Sequence, residues 1–325
     1  MQIFLTGGTG FVGSHVARQL LDEGHSVVAM VRSTSDTSFL EQLGVEMVVA
    51  DLRDPTGLDE VLDGVDAVVH VAGLTGAPDV ETLYRVNADG TRLLADLTVQ
   101  YAGEGTRFIY ISSVSAQGPS DGGEPRDCDA PPQPVSHYGK SKLDGEGAAL
   151  AHRDVLDVTI LRPPVVYGPR DWDMFEVFQL ADRRLAPILG GEERWLSVIH
   201  GEDLARATVA CLDAPGDGEV YPVDDGNSYT WQQLGDHISA AVGKRTITIP
   251  VPQWLMASAA TIAEFGGGLV TDTATFNRDK YREMCQPGWV CGHEEIRDEL
   301  GWEPTLDLAE GARQTVRWYR DNGWL

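Results

Sequence analysis

The stretch Leu5-Thr6-Gly7-Gly8-Thr9-Gly10-Phe11-Val12-Gly13-Ser14 constrains the fold more than any other part of this 325-residue chain. An apolar run from Met1 to Leu5, interrupted only by Gln2, precedes it, and Val12, Val16, Leu20 and Leu21 follow at helical spacing. The order is strand, glycine turn, helix. Gly8, Gly10 and Gly13 fit G-x-G-x-x-G in the context that gives the spacing meaning: a tight turn, a backbone close enough to meet a pyrophosphate, and close helix-to-strand packing. The exposed N–H groups and positive dipole at that helix start would hold the anion.

Apolar runs at His25 to Val31, Val45 to Ala50 and Ala67 to Val71 read as further strands with short helical patterns between them. Such βαβαβ alternation calls for an α/β fold, a Rossmann-type doubly wound parallel sheet with helices on both faces. An amphipathic stretch from about Val80 to Tyr101 precedes a fifth strand, Arg107 to Ser112. A Pro/Gly/Asp-rich loop, Gln117 to Pro134, is long enough to suggest a functional role. A helix from about His137 to His152 and a sixth strand, Val158 to Arg162, follow. Beyond Pro163-Pro164 the alternation breaks down, and Trp172, Phe175, Phe178, Trp195, Tyr229 and Trp254 fall in shorter, mixed elements. Residues 1–170 are therefore expected to form a dinucleotide-binding domain, its sheet completed by parts of 195–225. Residues 171–325 are expected to form mainly a smaller, mixed substrate-binding lobe with helices at Asp203 to Leu212, Trp231 to Val242, Gln253 to Phe265 and Leu308 to Asp321. The apolar segment Trp254 to Ile262 is too short to span a bilayer and reads as a core or cap helix.

Fifty Asp and Glu face 25 Lys and Arg, a formal charge of −25, so no surplus of cations exists to neutralise nucleic-acid phosphates. Lysine occurs only at 140, 142, 244 and 280, and a surface so acidic is of the kind that keeps proteins soluble in concentrated salt. Cys128, Cys211, Cys285 and Cys291 show no C-x-x-C spacing, and His293 beside Cys291 makes at most half a metal site, so reduced thiols and no metal are expected. No basic start or cleavage site precedes the glycine turn, which suggests a cytoplasmic protein without a membrane partner.

A second constellation is Tyr138-Gly139-Lys140-Ser141-Lys142. On a helix, positions i and i+4 share a face, so the Lys142 ammonium would favour the Tyr138 phenolate and lower its pKa toward the range of a working acid or base. Ser113 stands at the C-terminal end of the fifth strand, the edge of an open α/β sheet where ligands bind. With these residues the chain resembles, almost end to end, the extended short-chain dehydrogenase/reductase family, also called the NAD-dependent epimerase/dehydratase family. The resemblance rests on Thr6 to Gly13, Asp51-Leu52-Arg53-Asp54, His70-Val71-Ala72-Gly73, Val86-Asn87-Ala88-Asp89-Gly90-Thr91, Ile111-Ser112-Ser113, Tyr138 with Lys142, and Leu161 to Pro169.

The resemblance implies that Ser113 hydrogen-bonds the reacting oxygen, that Tyr138 exchanges its proton, and that Lys142 tunes Tyr138 while binding the nicotinamide ribose. It further implies cofactor contacts from Gly7, Thr9, Gly10, Phe11, Val12 and Gly13, adenine contacts from Asp51 and Leu52, a cofactor path along Val71, Ala72 and Gly73, and a place beside the nicotinamide for Pro163 to Val165. Asn87 would support the cofactor cleft or serve as a helix cap. A homodimer through the helices near 80–101 and 137–152 is implied as well.

Departures from the family's sugar-nucleotide branch narrow the activity. Dehydratases of that branch carry Asp-Glu after the catalytic hydroxyl residue, whereas Val114-Ser115 stands here. Its epimerases place an Asn at the position of Val165 and an Arg near Leu196, both serving the substrate pyrophosphate, although Arg194 lies close enough in sequence to substitute. His200 and Asp203 read as structural. The leading expectation is a reductase or dehydrogenase acting on a carbonyl or alcohol of a non-nucleotide substrate, resembling the dihydroflavonol reductase and 3β-hydroxysteroid dehydrogenase branches. An NDP-sugar epimerase with tightly bound NAD is the alternative, and a nucleotide sensor would be expected to have lost Tyr138 or Lys142. Where NAD-preferring sites carry an acidic residue, this chain has Val31-Arg32-Ser33; Arg32 suits a ribose 2′-phosphate, so NADP(H) is expected to be preferred, with NAD(H) possible.

Overall fold

The computed structural model describes residues 1–52, 56–127, 129–214, 217–258 and 278–325. Its strands are β1 (Gln2–Thr6), β2 (Ser26–Val31), β3 (Glu46–Val49), β4 (Ala67–His70), β5 (Arg107–Ile111), β6 (Asp157–Arg162), β7 (Val165–Tyr167), β8 (Leu185–Leu189), β9 (Trp195–His200), β10 (Asp217–Pro222), β11 (Ser228–Thr230), β12 (Ile247–Val251) and β13 (Gly288–Trp289). Seven of them form one sheet in the order β10-β6-β5-β4-β1-β2-β3, with every pairing parallel. This is the doubly wound α/β architecture the alternation called for, with β10 completing the sheet.

The central strands are apolar on both faces because both are covered. In β1, Ile3 and Leu5 point into a core with Val16 and Leu20 of the helix Phe11–Asp22, while Phe4 joins a core on the other face with Phe108, Tyr110 and Ile160. The glycine turn is fixed by crowding. Gly7 has φ +74°, and a Cβ on it would lie 2.6 Å from the Ala72 amide nitrogen; a Cβ on Gly13 would run into the Gly7 carbonyl.

The stretch Val80 to Tyr101 is helical throughout, but it is interrupted by a π-turn at Arg85–Asp89 between the helices Val80–Tyr84 and Gly90–Tyr101. Asn87 lies inside that turn. It is therefore no helix cap: its side chain bonds the Leu74 amide (2.8 Å), the Leu74 carbonyl (2.9 Å) and Ser141 Oγ (3.0 Å).

The C-terminal part adds a second sheet, β11-β9-β13 with β7 also paired to β9, and a two-stranded ribbon of β8 and β12. Phe175 and Phe178 are buried beside Tyr319, and Trp172 stacks on Trp324 at 3.8 Å. Phe175 is thus committed to packing, whereas Trp172, though stacked on Trp324, stays 66% exposed. Of the expected helix Gln253 to Phe265, residues beyond 258 lie outside the described residues, as do Cys128, Arg53 and Asp54. Trp254 is 69% exposed, so the start of that helix lies on the surface rather than in a core. No helix among the described residues is long and apolar enough to cross a membrane.

His200 and Asp203 join the two parts. His200 Nδ1 accepts from the Glu202 amide at the start of the helix Gly201–Ala210, with its ring against Tyr167. Asp203, fully buried, accepts from Thr305 N (3.0 Å), Thr305 Oγ1 (2.8 Å), Leu306 N (2.9 Å) and Arg206 Nη1 (2.6 Å). Replacing Asp203 by Ala would strand these donors and should lower stability by about 2–4 kcal/mol in urea unfolding. A loss under about 0.5 kcal/mol, the range of a neutral surface change, would show that the carboxylate does not hold the C-terminal segment.

Candidate active site

Every sequence-selected site residue except Tyr138, Lys142 and Asn87 falls at the C-terminal edge of the parallel sheet, in the turn that follows, or at the start of the element beyond that turn, as Phe11 to Gly13 and Val165 do. Gly7 to Gly13 follow β1, Arg32 follows β2, Asp51 and Leu52 follow β3, Val71 to Gly73 follow β4, Ser113 follows β5, and Pro163 to Val165 follow β6. Because β1 lies between β2 and β4, the strand order reverses there, and the crevice at this reversal is where ligands bind in such sheets.

At the outer end, Arg32, Ser33, Thr34, Val49, Ala50, Asp51 and Thr56 line an open cavity of about 420 Å³. The Arg32 side chain is exposed, and no described residue hydrogen-bonds or ion-pairs with its guanidinium. Leu52 instead packs beneath Gly90, where an added Cβ would come within 3.3 Å of it.

At the inner end, Ser113 caps the short helix Val114–Gln117 by accepting from the Ser115 amide at 3.1 Å. The Val114 amide donates to the Pro163 carbonyl at 3.0 Å, which ties the turns after β5 and β6 together. Tyr138 begins the helix His137–Leu150, capped by Ser136. Its neighbour Gly139 sits against the Ser115 carbonyl with no room for a Cβ, so the start of this helix comes directly onto the turn bearing Ser113. A glycine in a first helical turn was the available sequence signal for that approach.

The electrostatics differ from the simple Tyr–Lys expectation. Burial pushes the Tyr138 phenol up to about 12; the hydrogen bond with Ser113 opposes the rise, and the negative charge of Glu283 adds to it. Lys142 is itself pushed down to about 7 by burial, with Glu146 opposing. The ammonium donates to the Ile111 carbonyl at 2.7 Å and lies 4.2 Å from the Tyr110 ring centroid. Lys142 therefore does not lower the Tyr138 pKa in this structure, because its charge is weakened by burial and directed at the β5 terminus. A Cβ on Gly73 would stand 3.6 Å from Lys142 Nζ, which places the lysine at the turn after β4.

Glu146, one turn beyond Lys142, was missed by the sequence reading although Tyr138, Lys142 and Glu146 are spaced i, i+4, i+8. Its carboxylate accepts from Ser112 Oγ (2.5 Å) and from Arg162 Nε (2.9 Å) and Nη2 (2.6 Å), with both charged side chains under 9% exposed. Arg162 also donates to Gln117, whose amide holds the Asp127 and Ala130 carbonyls of the following loop.

Two positions bear on substrate anions. Leu196 is buried in the second sheet, and Val165 begins β7 with only an apolar side chain. Arg194 is buried and donates to the Leu189 and Glu192 carbonyls, so its guanidinium braces the turn after β8.

Residues 3–223 match the family described as NAD dependent epimerase/dehydratase. The chain belongs to this family. It is 33% identical, over 99% of its length and 96% of the relative's, to a ceramide reductase of Caulobacter vibrioides. It is 27% identical, over 95% and 98%, to a decarboxylating sterol-4-alpha-carboxylate 3-dehydrogenase of Dictyostelium discoideum. A solved dTDP-glucose 4,6-dehydratase of Streptomyces venezuelae with NAD bound superposes with a TM-score of 0.81 at 26% identity, covering all of this chain and 98% of that one. The protein is accordingly an NAD(P)-dependent oxidoreductase of the extended short-chain dehydrogenase/reductase type.

The buried ion pair makes a prediction. Arg162→Leu leaves the Glu146 charge uncompensated and should cost about 3–5 kcal/mol in urea unfolding, whereas Arg162→Leu with Glu146→Leu should recover most of the loss. A single variant as stable as the parent would show that the pair does not support this edge of the sheet.

Proposed function

We propose that the protein reduces a ketone or aldehyde on an apolar, non-nucleotide molecule with NADP(H), or oxidises the corresponding alcohol in reverse. The dinucleotide fits the residues present. The glycine turn leaves a cradle that side chains would fill, and the cavity at the ends of β2 and β3 carries the guanidinium of Arg32, which has no partner among the described residues. Gly7, Thr9, Gly10, Phe11, Val12 and Gly13 would meet the pyrophosphate, Asp51 and Leu52 the adenine side, and Val71, Ala72, Gly73, Asn87, Pro163 and Val165 the path to the nicotinamide. When bound, the nicotinamide supplies or accepts the hydride.

Ser113 orients the reacting oxygen, and Tyr138 donates the proton. A phenol raised to about 12 stays protonated at neutral pH and so has a proton to give, and the more strongly basic alkoxide left by hydride transfer would take it. Lys142, poised near 7 by burial, would take up charge beside an anionic cofactor and hold its ribose. Residues 171–325 supply most of the substrate lobe, and Trp195 at the edge of β9 and the exposed Trp254 offer aromatic surface for an apolar body. A homodimer through the helices near 80–101 and 137–152 belongs to the same proposal.

The observation that carries this reading is that, among the described residues, Val165 and Leu196 offer only apolar side chains where the family's epimerases hold a second pyrophosphate, while Nη1 of Arg194 is engaged by the Leu189 and Glu192 carbonyls. A second pyrophosphate buried there would leave charges unpaired at a cost of several kcal/mol. The likeness to a ceramide reductase supports an apolar substrate. The test is a paired screen of hydrophobic ketones, followed by NADPH loss, against UDP- and dTDP-sugars, followed by product chromatography. Reduction of a ketone is expected; conversion of a sugar nucleotide without net NADPH consumption would put an epimerase in its place. In the active assay, Tyr138→Phe should cut turnover about 10²-fold or more with cofactor affinity nearly intact.

Cofactor preference is separately testable. A charge-assisted pair with a 2′-phosphate is worth about 1.5–3 kcal/mol, so Arg32→Ala should weaken NADPH binding roughly tenfold or more and leave NADH nearly unchanged. Equal affinity of the parent protein for both cofactors would remove the argument.

A further inference from the structure

The helix Arg278–Met284 stands outside the parallel sheet, yet its carboxylates reach the start of the helix that bears Tyr138. Asp279 Oδ2 accepts from the His137 amide at 2.7 Å and faces the Tyr138 amide at 3.4 Å. Glu283, 6% exposed, accepts from Ser136 Oγ at 2.6 Å, and Ser136 Oγ accepts in turn from the Gly139 amide at 2.9 Å. Two acidic side chains from a segment some 140 residues away thus occupy the N-terminal turn of the His137–Leu150 helix, where free N–H groups and the helix dipole favour negative charge. The residues that follow continue the attachment. Ser120 N donates to the Gly288 carbonyl at 2.9 Å, and the Val290 amide donates to Ser120 Oγ at 3.1 Å, so the same segment also holds the loop that leaves the Ser113 turn.

We propose that Glu283 and Asp279 are positioning residues for Tyr138: the two carboxylates together fix the helix turn on which it stands and so set where its phenol meets the reacting oxygen. The proposal rests on the reading of Tyr138 as proton donor, and it makes the segment 278–290 part of the catalytic apparatus without touching the reacting atoms. A negative charge beside a phenol disfavours phenolate, the direction in which Glu283 acts on Tyr138. The groups facing Glu283 are Ser136 Oγ and Lys280 Nζ, the latter at 3.4 Å and half exposed. Those acting on Tyr138 are Ser113 and Glu283. Asp279 is further paired with Arg282 Nη1 at 3.4 Å.

The test needs no substrate. Tyrosine is labelled with ¹³C at Cζ, the Tyr138 resonance is assigned by its loss in Tyr138→Phe, and its titration is followed by NMR toward high pH. Glu283→Gln should bring the onset of Tyr138 titration to lower pH by about half a unit or more. Ser136→Ala, which keeps the Glu283 charge, should leave the onset closer to the parent value than Glu283→Gln does. If Glu283→Gln does not fold, Glu283→Met combined with Ser136→Ala, which removes both partners of the buried hydrogen bond, should show the same downward shift. An unchanged onset in folded Glu283→Gln, or in that double variant, overturns the proposal. Near-parental turnover in Tyr138→Phe would overturn the catalytic reading instead, a result the titration neither requires nor repeats.

Discussion

A carboxylate as deeply buried as Glu146 persists only if its charge is met from several sides. The fork of Arg162 supplies two hydrogen bonds and Ser112 a third, and each partner belongs to a different element: the helix His137–Leu150, the end of β6 and the end of β5. An unpaired ion in that place would cost several kcal/mol, so helix and strand termini cannot shift independently. Lys142 stands one helical turn before Glu146 and Tyr138 one turn before that, so this network sets where both groups stand relative to the sheet edge. It also explains how a buried lysine keeps part of its charge, since Glu146 opposes the desolvation that lowers its pKa.

The second constraint is close approach. Gly7 and Gly13 bring the first helix and the turn after β4 together, while Gly139 and Gly145 do the same for the His137–Leu150 helix against the Ser113 turn and the π-turn at Asn87. A π-turn inside a helix often marks a functional position, and here it frees Asn87 to bridge the Leu74 backbone and Ser141. The crevice thus has a rigid floor of strand ends and glycines, with polar side chains arriving from one helix.

Most of the sheet could be read from sequence because its strands are continuous apolar runs separated by helical periodicity, the pattern of strands buried on both faces. Ser113, Tyr138 and Lys142 were legible because strand-end placement and i, i+4 spacing are local properties. The direction of the Tyr138 shift was not. Burial depends on what packs over the helix, and Glu283 comes from a distant segment that no local pattern connects to Tyr138. Aromatic composition is ambiguous for a related reason: Phe175 is buried against Trp324 and Tyr319 near the end of the chain while Trp172 stacks on Trp324 and stays exposed, and composition alone cannot separate packing from binding.

At the centre of the proposed function is hydride passing between a nicotinamide and the carbonyl carbon of an apolar substrate, with the protein retaining no oxidised intermediate. The most direct measurement is mass spectrometry of the product formed with NADPH deuterated at the transferring position of C4. One deuterium is expected on the new carbinol carbon for each cofactor oxidised. Product that gains no deuterium from the added cofactor, formed while the NADPH remains unconsumed, would contradict it and indicate a closed cycle on a cofactor that never leaves.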